Sequence, residues 1–190
     1  MFDSMPEILA SINPEWIEHI FCGIKLYEVR KNKPSTPLPF KVLIYCTKNG
    51  RILFKNRKGT IFTTPFTAKN LLTVHPDAEI FNGKIVGEFV CDKVVEVPRG
   101  ALYNNYNASS EIMNAMYYSC VTNNELIRYC GSKKSLFFWH ITNLVIYDTP
   151  KELSDFGLNR PPQSYQFVLT NKENTYAKKT KSLAHRSYAL

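Results

Sequence analysis

The segment FKVLIYCT, residues 40–47, limits the possible fold of this chain more than any other stretch. Side chains point alternately to the two faces of a strand, and here both faces are mainly apolar. A strand with two apolar faces needs cover on both sides, so we predict a central buried strand. The other strand-like segments are not separated by regular crossover helices. This order favours an α+β fold, with a small mixed, largely antiparallel β-barrel and helices flanking a cleft, over a doubly wound sheet.

A short strand over EILASI, residues 7–12, precedes a predicted helix. Asn13 suits the N-cap, Pro14 suits the first helical position, and Gly23 can take the left-handed conformation that ends a helix. An apolar stripe at helical spacing consists of Trp16, Ile17, Ile20 and Phe21. The next segment, KLYEVR at 25–30, alternates as a strand does.

Residues 49–83 are predicted to form an insertion between two core strands, with a hairpin from RILF and GTIFTT and a helix from PFTAKNLL. Strand character returns in KIVGEFVCDKVVEV, and residues 101–131 are predicted to be helical. SLFFWHITNLVIYD then forms a long strand or a bent strand pair, and RPPQSYQFVL ends the core with a final strand. We therefore expect one domain over residues 1–170, followed by a flexible, basic tail over residues 171–190.

Positive charge is concentrated in one part of the chain. Residues 25–58 contain ten Lys or Arg and one acid, Glu28, so this segment carries 10 − 1 = +9, whereas the whole chain carries +8. Such a concentration fits a polyanionic partner, RNA above all, although a merely solvated basic surface would have the same composition. The candidate basic patch consists of Lys31, Lys33, Arg51, Lys55, Arg57 and Lys58.

The cysteines and the hydropathy pattern exclude several classes of protein. The five cysteines are odd in number and have no CxxC spacing, so we predict reduced thiols and neither a disulfide scaffold nor a metal site. No cofactor-binding loop is present, and no cofactor is expected. No apolar run approaches the ~18 residues of a membrane span, and no secretory signal is visible, so the expected location is cytoplasmic.

The segment GIKLYEVR, residues 23–30, places three charged residues just after the predicted helix. Lys25 could pair with a phosphate or, if desolvated, act as a base or nucleophile; it could also be an exposed lysine at the C-terminal end of the helix. Glu28 and Arg30 share one strand face. They could form a structural ion pair, or Glu28 could orient Arg30 so that the arginine binds a phosphate or the edge of a base. We expect all three charges to face a cleft.

Further candidates come from three other segments. Glu88 lies between Val86 and Val90 in the alternating pattern, so we expect it to meet Lys25, Arg30 or a ring of backbone donors, in a structural pair or as an active-site carboxylate. Tyr45, Thr47 and Lys48 end the central strand, where Tyr45 is either a core residue or a platform for a base. Ser11 could supply a hydroxyl, and His140 is expected to be a core histidine. A second cleft wall is predicted from Arg160, Gln163 and Ser164.

Five motifs in order resemble the ASCH domain, a branch of the PUA-like superfamily. They are GIKLYEVR, VLIYCT, GKIVGEFVCDKV, WHITNLVIYDTPKELSDF and RPPQSYQFV, and they span about residues 7–169. Small phage and bacterial ASCH proteins end in a similar RPPQS segment. The resemblance implies a closed or nearly closed barrel with a helix beside a cleft. The insertion and the tail lie outside the resemblance.

The resemblance implies that RNA or a modified nucleoside is the ligand. Relatives include RNA-binding proteins, ribonucleases and amidohydrolases of N4-acetylcytidine. The amidohydrolase branch resembles this chain at Gly23 and Lys25 but has threonine where Glu28 stands. The sequence is therefore compatible with three functions. The first is an RNA- or nucleoside-binding module, and the second is a metal-independent hydrolase in which Lys25 and Glu88 act as acid and base. The third is a phage-encoded protein that binds an acidic partner. Whether the chain is an enzyme stays open at this point.

Overall fold

The computed structural model describes residues 5–168 except 105 and 107, so the predicted tail over residues 171–190 lies outside the described residues. The strands are β1 (Glu7–Ile12), β2 (Tyr27–Arg30), β3 (Phe40–Cys46), β4 (Ile52–Lys55), β5 (Ile61–Thr64), β6 (Glu79–Ile80), β7 (Ile85–Cys91), β8 (Val94–Pro98), β9 (Ser135–His140), β10 (Thr142–Lys151) and β11 (Tyr165–Phe167). The helices are α1 (Pro14–Phe21), α2 (Ala68–Val74), α3 (Arg99–Tyr103), α4 (Ser110–Tyr117) and α5 (Asn123–Cys130), with a 3₁₀ turn at Leu153–Phe156.

The main sheet has five strands in the order β10-β7-β3-β1-β11, so the prediction that FKVLIYC forms the central strand is confirmed. β3 runs parallel to β1 and antiparallel to β7. Its two faces contact different apolar clusters. Phe40, Val42 and Ile44 pack in a core that includes residues of α1, and Leu43 and Tyr45 pack in a second cluster on the opposite face. Cover on both faces explains why this strand has no polar face.

A second sheet has the order β2-β9-β8, and no closed barrel forms among the described strands. The chain passes between the two sheets four times, from β1 into β2, from β2 into β3, from β7 into β8 and from β9 into β10. Only Ile141 separates β9 from β10, so the predicted bent strand pair is confirmed. Of the closed or nearly closed barrel that the resemblance implied, the closed form is not observed, because the edge strands β2 and β8 of the second sheet pair with no described strand of the main sheet.

The Arg30 side chain spans the place where a closing ladder would run. Its Nη1 donates to the Ser164 carbonyl at 2.9 Å, and its Nη2 donates to the Ser11 carbonyl at 3.0 Å. Ser11 lies on β1, and Ser164 immediately precedes β11. A side chain therefore connects the two sheet edges where backbone hydrogen bonds do not.

The segment between β3 and β7 forms a third sheet with the order β5-β4-β6. The predicted hairpin is observed as the antiparallel pair β4–β5, and the predicted helix is α2, whose N-cap Thr67 accepts a hydrogen bond from the Asn70 amide. Leu53 and Phe81 of this segment are fully buried in the main core. The segment is thus packed against the rest of the molecule.

The helices between β8 and β9 cover the second sheet. Residues of α3, α4 and α5, among them Leu102, Met116 and Leu126, pack on Tyr27 of β2 and Phe138 of β9. The start of α5 is fixed by a capping box, in which Thr122 and Glu125 bond each other's backbone amides. None of the helices in the described part of the chain is long and apolar enough to cross a membrane.

Candidate functional site

A cavity of about 380 Å³ opens where the two sheets meet. Its walls come from the ends of β1 and β3, the first turn of α1, strand β2 and helix α5. The lining residues are Ser11, Ile12, Asn13, Trp16, Lys25, Glu28, Val29, Arg30, Thr47, Asn49, Val121, Glu125, Leu126, Tyr129 and Gln163. A cavity of this volume falls in the range of small-ligand sites.

Three charged side chains of β2 and the residues just before it lie buried against the cavity. Lys25, Glu28 and Arg30 are 1%, 6% and 4% exposed. The Glu28 Oε1 atom is 2.9 Å from Arg30 Nη2, and its Oε2 atom is 3.7 Å from Lys25 Nζ. The structural ion pair between Glu28 and Arg30, one of the two predicted alternatives, is therefore observed. We call these three residues the charged triad.

Burial lowers the pKa of Lys25, and the nearby Glu28 carboxylate opposes this effect. The Lys25 Nζ atom donates to the Ser119 carbonyl at 2.6 Å, and it lies 5.3 Å from the centre of the Trp16 ring. With both cations protonated, the charged triad carries 2 − 1 = +1. A net positive charge that is largely withdrawn from water favours a ligand with an acceptor or a negative charge.

The pKa of Lys25 makes the stability of the fold depend on pH. Because the pKa is below its usual value of 10.5 in the folded protein, the unfolded chain binds more protons between those two values. The stabilisation of wild type relative to Lys25→Met should therefore increase as pH rises through that window, by at most about 1.4 kcal/mol per pH unit. Urea unfolding of both proteins at several alkaline pH values measures this difference, and a difference independent of pH would contradict the assignment.

Two aromatic side chains line the cavity from separate helices. Trp16 belongs to the first turn of α1, and Tyr129 belongs to the last turn of α5. The Tyr129 ring also contacts the Lys31 ammonium, whose Nζ atom is 4.8 Å from the ring centre. Helical spacing predicted Trp16 in the apolar stripe of α1, and no sequence pattern predicted a role for Tyr129. Tyr129 reaches the cavity because α5 packs beside β2. The packing position of a helix is set by tertiary structure and cannot be predicted from the residues around Tyr129.

Several polar side chains line the cavity near the ends of β1 and β3. Thr47 donates to Asn13 Oδ1 at 2.9 Å, so the Asn13 side chain is held by β3's end and does not cap α1. Ser11 Oγ donates to the Pro162 carbonyl at 2.6 Å. Gln163 lines the cavity and is exposed. Thr47 and Gln163, two of the predicted cleft residues, thus line the cavity.

Several predicted site residues lie elsewhere. Tyr45 is 4% exposed and packs on the opposite face of the main sheet, so of its two expected roles the core residue is confirmed and the platform for a base at the cavity is wrong. Lys48 and Arg160 are exposed and do not line the cavity, and Ser164 contributes its carbonyl to Arg30. His140 is half-buried, outside the cavity, and its Nδ1 atom is 2.8 Å from Asp92 Oδ1.

Glu88 is also away from the cavity, and the expectation that it meets Lys25 or Arg30 is wrong. A β-bulge between the pairs Ile44–Gly87 and Tyr45–Ile85 breaks the alternation of β7. Val86 therefore faces the main core, whereas Glu88 faces outward, contrary to the predicted shared face. Its carboxylate accepts from Tyr147 Oη and lies 3.4 Å from Lys41 Nζ.

Replacing Glu88 with glutamine is expected to leave ligand binding at the cavity unchanged. The free energy of unfolding should change by less than about 1 kcal/mol, because the Lys41–Glu88 pair is partly open to water. Thermal melting and ligand titration of the variant measure both quantities. A loss of binding in a folded Glu88→Gln protein would contradict this placement.

The basic segment over residues 25–58 does not form one continuous surface. Lys25 and Arg30 are buried in the charged triad, Lys41 pairs with Glu7 and Glu88, and the Lys55 Nζ atom lies 2.7 Å from Glu79. The remaining basic residues, Lys31, Lys33, Lys48, Arg51, Arg57 and Lys58, are exposed or half-buried. Acidic residues from distant parts of the sequence thus neutralise part of the net charge of +9 that residues 25–58 carry.

The comparisons with known proteins concern the fold. No protein-family model and no curated protein matches the sequence. The crystal structure of ASCH from Zymomonas mobilis superposes with a TM-score of 0.56 and 15% identity, over 91% of this chain and 94% of that chain. Crystal structures of two single-site mutants of the Zymomonas mobilis protein also give a TM-score of 0.56 and 15% identity, with coverage of 92% and 91% of this chain and 95% and 96% of theirs. Together with the ordered motifs, these likenesses show that the chain has the fold of an ASCH domain.

Proposed function

We propose that this protein binds RNA, or a nucleoside derived from it, by holding one base unit in the cavity. The observation that carries the proposal is the buried charged triad, two cations and one carboxylate, which lies beneath a cavity bordered by Trp16 and Tyr129. The likeness to ASCH structures concerns the fold and supports the proposal only as an analogy.

The physical properties of the cavity suit a nucleoside unit. Its volume of about 380 Å³ lies at the lower end of the range for organic ligands, so it accommodates one base and its sugar better than several. Bases stack on aromatic side chains with about 1–3 kcal/mol each. Lys25 Nζ and the amide of Asn13 offer hydrogen-bond donors to the carbonyl oxygens and ring nitrogens of a base.

Tryptophan fluorescence tests this proposal directly. The chain has two tryptophans, and Trp139 is 0% exposed in the main core, whereas Trp16 lines the cavity. Titration with the four ribonucleosides and with a short single-stranded RNA should therefore quench Trp16. The quenching should disappear in Trp16→Phe, which keeps Trp139 as an internal reference.

A matched lysine pair tests the role of the charged triad. Lys25→Met should weaken binding at least tenfold, because it removes the donor beneath the cavity. Lys48→Met removes an exposed lysine outside the cavity and should leave binding within about twofold. If neither nucleosides nor RNA quench the wild-type fluorescence, or if both lysine variants bind as wild type does, the proposed function is wrong.

A second candidate function is hydrolysis of RNA or of a modified nucleoside. The observation that favours it is the lowered pKa of Lys25, because a neutral amine is a base and a nucleophile. Glu88 lies outside the cavity, so the carboxylates available to assist are those that line it, Glu28 and Glu125. Turnover of RNA or N4-acetylcytidine by the wild type, lost in Lys25→Met but kept in Lys48→Met, would support this function; binding without turnover would exclude these substrates.

A further inference from the structure

A smaller hollow of about 80 Å³ adjoins the 380 Å³ cavity, with about a fifth of its volume. The two share Asn13 and Asn49, so the hollow continues the opening of the cavity across the start of α1. Its other lining residues are Pro14, Glu15, Gly50 and Arg51. Gly50 and Arg51 belong to the insertion, outside the segments that resemble the ASCH domain.

Arg51 is held in a defined orientation. Its Nε atom donates to Thr63 Oγ1 at 3.0 Å, and Thr63 in turn donates to Glu18 on α1, from Oγ1 at 2.6 Å and from its amide at 3.2 Å. Within the described residues, the two Nη atoms of Arg51 have no hydrogen-bond or ion-pair partner. The guanidinium is therefore fixed at one end and has free donors at the other.

The hollow is suited to a small anionic group. Its 80 Å³ is well below the ~300 Å³ at which organic-ligand pockets begin, so a second base does not fit within it. A guanidinium with free terminal amino groups is the side chain best matched to phosphate oxygens. Glu15 also lines the hollow and opposes an anion there, so Arg51 must outweigh it.

We propose that this hollow receives a phosphate of the nucleotide chain whose base unit occupies the larger cavity. The inference rests on the proposed function and makes its ligand class specific: the ligand is an oligoribonucleotide rather than a free nucleoside. The RNA chain leaves the cavity over the start of α1 toward the hairpin β4–β5. Arg51, and not the net charge of the insertion, then supplies the added affinity.

Fluorescence titration with nucleosides and dinucleoside monophosphates tests this inference. In the wild type, the dinucleoside monophosphate should bind about tenfold more tightly than the matching nucleoside. Arg51→Gln should remove that difference and flatten the log–log salt dependence of dinucleotide binding by about 0.7, without changing nucleoside binding. Arg57→Gln removes an equal charge from the turn of the same hairpin and should keep the difference.

Two further variants change the hollow without removing the arginine. Glu15→Gln should widen the difference between dinucleotide and nucleoside, because it removes the opposing carboxylate. Thr63→Val should narrow it, because it frees Arg51 Nε. Equal affinity for the two ligands in the wild type, or equal losses in Arg51→Gln and Arg57→Gln, would overturn the inference and leave the proposed function standing. Absence of binding by either ligand would overturn both.

Discussion

Replacing Glu28 with glutamine is expected to lower the free energy of unfolding by about 3–5 kcal/mol, because it leaves two buried cations without their carboxylate. Glutamine has nearly the same shape, so packing against the neighbours is retained and the loss is electrostatic. Lys25 can limit the loss by releasing its proton, since its pKa is already lowered by burial. The destabilisation should therefore decrease as pH rises through the range in which Lys25 loses its proton. Urea unfolding at several pH values measures it.

Two controls separate this electrostatic effect from a general loss of a carboxylate. Glu79→Gln breaks a partly exposed pair with Lys55 and should change the free energy of unfolding by less than about 1 kcal/mol. The double variant Lys25→Met with Glu28→Gln has one buried cation fewer than Glu28→Gln and should be more stable than that single variant. A Glu28→Gln protein as stable as wild type at neutral pH would show that the charged triad is not a coupled structural unit.

The second large effect is expected for Arg30. Arg30→Met removes the hydrogen bonds to the Ser11 and Ser164 carbonyls together with the Glu28 ion pair, and should destabilise the protein by about 3–5 kcal/mol. Arg30→Lys keeps the charge but cannot bond both carbonyls and the carboxylate at once, so it should rescue only part of this loss. Arg57→Met, at an exposed position, serves as the matched control and should be nearly neutral.

Hydrogen exchange locates the effect of the Arg30 variants. The Ser11 amide donates to the Ser164 carbonyl at 3.0 Å, beside the carbonyls that Arg30 binds. Its exchange should accelerate more than that of the β3–β7 ladder if Arg30 holds the sheet edges together. Uniform acceleration throughout the main sheet would instead indicate that Arg30 contributes to global stability without a local bridging role.

The parts of the fold that local patterns determine could be predicted from the sequence. Two-sided hydrophobicity identified β3 as the central strand, and helical spacing between Asn13 and Gly23 identified α1. Glu28 and Arg30 were expected to share a face because they are two residues apart on one strand, and the ion pair confirms this.

The errors arose where tertiary structure overrides the local pattern. The bulge in β7 shifts the alternation by one residue, so Glu88 turns away from the side that Val86 faces. The side to which Tyr45 points could not be read from a strand that is apolar on both faces. The closure of the barrel depends on whether β2 and β11 pair, and pairing between strands so distant in sequence leaves no local signal.

The insertion leaves the main sheet at β3 and returns at β7, which are hydrogen-bonded neighbours. Its two ends are held together by backbone bonds, from the Gly83 amide to the Cys46 carbonyl at 2.7 Å and from the Cys46 amide to the Lys84 carbonyl at 2.9 Å. Leu53 and Phe81 of the insertion are part of the main core, whereas Asn49 and Arg51 are exposed, so these two residues can change without disturbing the core or moving either strand. Under the proposed function, mutation of Asn49 or Arg51 would alter what the entrance accepts while the charged triad beneath it stays unchanged. Exposed residues at the entrance can therefore be engineered without altering either the core residues of the insertion or the charged triad.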